Sequence, residues 1–317
     1  PEGGAMRGRA GAWWAAGLGA YVAVRHRRNL QMPPIALVDA EGRAIEPVTL
    51  TLRDETPIAV AEAGSGPPLL LLPGLSGDKE SFLYQVPVLS QAFRVLAVDL
   101  RPVRGDEPEG LDLFVEDLVD VLDAFDVTSA AVLGLSFGGA IAMRFAARHP
   151  GRTDALVLVN TLTRLDLSHV GFNRSVLIPL AYLTTRFGPR AASRTLARMW
   201  GDLQTWVFDP SDGNDRVYYY QQTSAARVPF PDGTRRLALL KDYDLRDGLP
   251  AIRAPALVVR GMTDTYCPES WSREIAALVP HADFLEIAGA GHLALMSKAE
   301  TFNRVVLRWL LEHLEDE

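Results

Sequence analysis

The stretch Ala130–Ala147, AAVLGLSFGGAIAMRFAA, constrains this chain more than any other. Its first residues, Ala130 to Leu133, are continuously apolar, as suits a parallel strand buried on both faces. They run into Gly134-Leu135-Ser136-Phe137-Gly138, after which Ala140, Ile141, Met143, Phe145 and Ala146 build a helix apolar nearly all round. A G-x-S-x-G pattern carries chemistry when it lies between a strand and a helix. The turn is so sharp that the serine hydroxyl stands clear of both elements. Gly134 and Gly138, lacking Cβ, let strand and helix close around it. Ser136 is therefore a candidate nucleophile, the alternative being an ordinary Gly-rich strand-to-helix turn.

A serine hydroxyl is a weak nucleophile at neutral pH and needs a base, and the base needs a partner that fixes its tautomer. Of six histidines, His26 lies in a basic N-terminal segment, His149 closes the helix after the serine, and His169 falls in an irregular region. His281 begins a strand and His313 sits on the last helix. Only His292, in Gly289-Ala290-Gly291-His292-Leu293, follows a strand end, where ligand-facing groups of a parallel sheet gather. Asp264 follows another strand directly, in Gly261-Met262-Thr263-Asp264-Thr265, and is the candidate to hold the imidazole. Its competing role is an Asx turn or the cap of the next helix. Asp99 also ends a strand but is taken as structural.

Developing negative charge on a carbonyl oxygen calls for two preorganised N–H donors. Phe137 starts a helix, where backbone donors are free. The second donor is expected from the loop Pro73-Gly74-Leu75-Ser76-Gly77, at the Leu75 N–H.

The remaining chain supplies the frame. Val48–Leu52 and Ile58–Glu62 alternate about a turn and predict a hairpin. Strands at Leu69–Leu72, Val95–Val98, Ala130–Leu133, Ala155–Val159, Ala256–Arg260 and Asp283–Ile287 alternate with helices near 79–91, 111–122, 269–278 and 299–314. That alternation predicts an α/β protein with a mostly parallel central sheet flanked by helices. Residues 161–248 break it with prolines and many aromatics, and are expected to form an inserted helical cap. The core is thus assigned to 45–160 and 249–317, and an N-terminal extension to 1–44.

Composition narrows the function. A net charge of −7 argues against nucleic-acid binding. One cysteine, Cys267, cannot form an internal disulfide, and neither C-x-x-C nor H-E-x-x-H occurs, so no metal or cofactor is expected. Ala12–Val24 is an apolar run between basic residues, shorter than the ~20 residues that span a bilayer. Packing on the protein's own surface, on a second subunit or on a membrane surface all stay open for it. The expected location is cytoplasmic, with membrane association through this segment as the variant.

Together these pieces resemble the α/β-hydrolase fold family over about residues 45 to 315. The likeness rests on Leu69–Gly77, Val98-Asp99-Leu100-Arg101, Gly134–Gly139, Arg260–Asp264 and Gly289–His292, with Ser136, Asp264 and His292 in the family's chain order. The resemblance implies Ser136 as nucleophile, His292 as base, Asp264 as its partner, and Leu75 and Phe137 as oxyanion donors. It implies a serine hydrolase cleaving a carboxylic ester of a moderately hydrophobic small molecule. Hydrolysis of C–C, lactone or amide bonds, acyl transfer or perhydrolysis is the alternative, and non-hydrolytic binding or rearrangement in the same pocket is a further one. Two departures stand out. Pro73-Gly74 replaces the His-Gly of many members, and Arg101-Pro102-Val103-Arg104-Gly105-Asp106 replaces a Gly-His-Gly run.

Overall fold

The computed structural model describes residues 35–103, 110–165, 215–227, 230–240 and 243–314. Eight strands form one sheet: β1 (Val48–Thr51), β2 (Pro57–Ala63), β3 (Pro68–Leu72), β4 (Arg94–Val98), β5 (Ala130–Leu135), β6 (Thr153–Val159), β7 (Ala256–Gly261) and β8 (Ala282–Ile287). Their spatial order is β1-β2-β4-β3-β5-β6-β7-β8. Strands β3 to β8 are mutually parallel, and the β1–β2 hairpin is joined to β4 by an antiparallel pairing. The predicted fold class is the observed one.

Side chains of a strand alternate between faces, so each apolar strand feeds two cores. Leu70, Leu72, Val132, Leu156, Leu158 and Val258 pack under α1 (Leu111–Ala124), α2 (Phe137–Arg148) and α5 (Glu269–Leu278). Leu69, Leu71, Leu133, Val157, Leu257 and Val259 face the other way, toward Phe82, Val86 and α6 (Ala299–Leu314). The register Leu71–Leu133–Val157–Leu257 lines up one row of that second core. Covering both faces removes water from continuous apolar strands, which is why they read as unbroken runs.

Chain order also positions the site. From β3 the chain moves outward to β4, then returns to place β5 on the other side of β3. This reversal opens a crevice at the carboxyl ends of β3 and β5, where ligands bind in open α/β sheets. The loop after β3 and the turn after β5 both lie there.

One predicted element is corrected. The helix expected near 79–91 is a 3-10 turn, Lys79–Phe82, and a single α-turn, Val86–Leu89. Pro87 lacks an N–H and its ring would meet the carbonyl of Leu83, so one continuous helix cannot form. The expected cap falls largely outside the described residues, and so does the whole Ala12–Val24 segment. Two helices from the cap region are described, α3 (Asp215–Arg227) and α4 (Phe230–Leu239). Among the described residues no helix is long and apolar enough to cross a membrane.

Candidate active site

Ser136 sits between β5 and α2 with φ +52° and ψ −113°, a backbone conformation that a residue with a Cβ rarely adopts. Its neighbours hold it there. The Ser136 N–H donates to Val159 O at 2.9 Å, continuing the β5–β6 ladder, and the Thr161 hydroxyl donates to Ser136 O at 2.6 Å. A Cβ on Gly138 would overlap the carbonyl oxygens of Leu72 and Pro73, and one on Gly134 would lie 2.5 Å from Gly138 O. Both positions need glycine because backbone passes where a side chain would stand.

Three side chains from three strand ends meet. His292 Nε2 lies 3.1 Å from Ser136 Oγ, and His292 Nδ1 lies 2.9 Å from Asp264 Oδ2. An ionised carboxylate only accepts, so Nδ1 carries the proton and the Nε2 lone pair faces the serine hydroxyl. The Asp264 side chain is fully buried, whereas the edge of His292 is partly open. The second oxygen of Asp264 accepts the N–H groups of Tyr266 at 2.7 Å and Cys267 at 3.1 Å. The two roles weighed for Asp264 are thus filled together, one oxygen fixing a turn and the other the imidazole.

Burial disfavours the His292 imidazolium, but the charge of Asp264 and its hydrogen bond outweigh this and hold the pKa well above the ordinary histidine value. A base held this way is lost as pH falls through its raised pKa. The kcat/KM of an ester substrate should therefore decline on the acid side with an apparent pKa above 6.5. Asp264→Asn should move that limb to lower pH and reduce the plateau, which a pH–rate profile of both proteins reads.

The loop after β3 lies over the serine. A Cβ on Gly74 would stand 3.5 Å from Ser136 Cβ, and the Gly77 N–H donates to Gly74 O at 2.9 Å, closing the turn that carries Leu75. On the other side the Phe137 ring packs edge-on to Phe114 in the core, with centroids 5.4 Å apart. The Phe137 backbone N–H is the first of α2, the position expected of one oxyanion donor. Pro73 in place of histidine removes neither the Leu75 nor the Phe137 N–H.

Asn160, just past β6, was missed by sequence reasoning. It is buried with φ +45°. Its Nδ2 donates to Gly291 O at 3.0 Å and His292 O at 2.6 Å, while its Oδ1 accepts the Gly261 N–H at 2.8 Å. Its own carbonyl accepts Cys267 Sγ at 3.1 Å. One side chain thus ties the histidine loop to the aspartate loop. An asparagine directly after an apolar strand, where positive φ is tolerated, was the available signal. Asn160→Ala removes three side-chain hydrogen bonds to backbone groups of the two loops and should lower stability by about 3 kcal/mol, with slower ester turnover, as urea denaturation and steady-state kinetics would record.

Among the described residues Asp264, Cys267 and His292 are the one grouping of metal-ligand types, with ligand atoms within 4.8 Å of one another. The hydrogen bonds above already engage each of them. Asp99 has the structural part expected of it, accepting the Lys79 backbone N–H at 2.8 Å and pairing with its ammonium at 3.1 Å. His149 packs its ring against Phe145 at the end of α2, and His313 stacks on Trp309, both far along the chain from any strand's carboxyl end.

A family model described as the alpha/beta hydrolase fold matches residues 67–299. The Magnesium-chelatase 30 kDa subunit of Rhodobacter capsulatus is 31% identical over 290 residues, covering 86% of this chain and 94% of that protein. Among solved structures, the enol-lactonase from Burkholderia xenovorans LB400 superposes with a TM-score of 0.69 at 25% identity, covering 83% of this chain and 99% of its own. A thermophilic esterase from Thermogutta terrifontis gives the same TM-score, 0.69, and 25% identity, over 84% and 99% of the two chains.

Proposed function

We propose that this chain, which belongs to the α/β-hydrolase fold family and is a hydrolase, cleaves carboxylic esters of moderately hydrophobic small molecules through an acyl-enzyme. The observation that carries this reading is the Ser136–His292–Asp264 relay, with hydrogen bonds of 3.1 and 2.9 Å. His292 takes the proton as Ser136 Oγ attacks the ester carbonyl. Asp264 stabilises the imidazolium that forms. The tetrahedral oxyanion rests on the Leu75 and Phe137 N–H groups, and its collapse expels the alcohol, which takes the proton from His292. Water, activated by the same imidazole, then attacks the acyl-enzyme and releases the acid. Preorganised donors that need not reorient during the reaction supply much of the rate gain. Structures named an esterase and an enol-lactonase are among those similar to this chain, and hydrolysis of an ester or a lactone breaks a carbonyl–oxygen bond, which supports this class.

Rapid mixing with p-nitrophenyl acetate, butyrate and octanoate tests the proposal. The expected result is a burst of one nitrophenolate per chain followed by slower steady turnover. Turnover of lactones, amides or C–C substrates with none of these esters would move the chain to the other chemistries of the same relay.

The likeness to the Rhodobacter protein favours a second reading, in which the chain works beside a magnesium chelatase. Stimulation of magnesium insertion by wild type and Ser136→Ala alike, with no ester turnover, would support it over the first.

A further inference from the structure

Arg236, on α4, is 2% exposed although it carries a permanent charge. A guanidinium so buried is tolerated only when most of its donors are taken up; here both terminal nitrogens are, while Nε has no partner among the described residues. Its Nη1 donates to Leu75 O at 2.9 Å and Ser76 O at 3.0 Å. Its Nη2 donates to Leu100 O at 3.2 Å and Arg101 O at 2.9 Å. These carbonyls belong to the loops after β3 and β4, so one planar fork fixes two loops at the mouth of the crevice.

The loop is shaped to receive it. Gly77 has φ +73°, and a Cβ there would overlap the guanidinium. Tyr220, on α3, holds the same loop from beside it. Its hydroxyl lies 2.8 Å from Ser76 Oγ and 2.7 Å from Ser81 Oγ, and donates to Asp78 Oδ1 at 2.6 Å. A peptide unit is planar, so the Ser76 carbonyl that Arg236 grips fixes the Gly77 N–H, which donates to Gly74 O at 2.9 Å, and the Gly74 carbonyl in turn shares its plane with the Leu75 N–H.

We infer that Arg236 is a positioning residue: by gripping the Leu75 and Ser76 carbonyls it aims the Leu75 N–H at the developing oxyanion. The assignment rests on the ester-hydrolase reading for its kinetic consequence, though not for its structural one. An oxyanion donor matters more in the transition state than in the bound ester, so misaiming it should lower kcat and spare KM.

The test compares wild type with Arg236→Gln, which keeps some donors without the charge, and Arg236→Lys, a milder change that keeps the charge but not the fork. Thermal melting checks that each folds. Peptide-resolved hydrogen exchange should show residues 74–78 exchanging at least about tenfold faster in Arg236→Gln, with β5 and β6 unchanged. With p-nitrophenyl butyrate, kcat should fall about 10- to 100-fold while KM moves by less than about threefold, and Arg236→Lys should lie between. Unchanged exchange in the loop, or a raised KM at constant kcat, would overturn the inference. A wild type inert toward every ester would overturn the ester reading instead, and the exchange comparison would still decide whether Arg236 holds the loop.

Discussion

Replacing Ser136 with alanine should lower ester kcat/KM by about 10⁴- to 10⁶-fold and leave the fold as stable as before. The large loss follows from removing the atom proposed to form the acyl-enzyme; the proposed Leu75 and Phe137 donors would retain a residual advantage over water. Unchanged stability follows from how the turn is held. The Ser136 N–H and carbonyl, bound to Val159 O and the Thr161 hydroxyl, fix the backbone at φ +52°, and alanine keeps both groups. Alanine brings the same Cβ as serine, so no new strain enters. Steady-state kinetics together with a thermal melt would separate the two effects, and a variant that unfolds early would contradict this account of the turn.

The second large effect concerns stability. Gly138→Ala places a methyl against the Leu72 and Pro73 carbonyl oxygens. Both belong to backbone, of a central strand and of the loop after it, so neither can swing aside as a side chain would. Relief requires α2 to back away from β3, opening the core beneath Phe137 and pulling the Phe137 N–H from the crevice. A loss of more than about 4 kcal/mol is expected, the range reserved for changes that disrupt a packed core. Gly151→Ala is the contrast: nothing lies within 4 Å of a Cβ there, and its cost should stay within about 0.5 kcal/mol. Urea denaturation of the two variants would show the difference, and equal midpoints would refute the steric argument.

What could be read in advance had a physical pattern behind it. Ser136 and Asp264 follow buried strands and His292 follows the edge strand β8, and in a parallel sheet all strands deliver their carboxyl ends to one rim. β5 and β7 were legible because they are buried on both faces, β8 by its short apolar segment after a helix, and their order then gave the residues a common place. The proposal of Leu75 and Phe137 as donors applies the same logic to backbone N–H groups. Other features leave no such trace. Asn160 acts through backbone groups of loops 101 to 132 residues away, which depends on sheet register. Arg236 stands on a helix whose composition is that of a solvated surface, and only tertiary packing turns its charge inward. The break at Pro87 is a local rule that a strong apolar pattern concealed.

The central claim is that Ser136 is the nucleophile, and mass spectrometry after treatment with a fluorophosphonate tests it most directly. The account predicts one adduct per chain, on the peptide containing Ser136, absent in Ser136→Ala and formed far more slowly in His292→Ala. An unlabelled wild type, or an adduct that persists in Ser136→Ala, would contradict it.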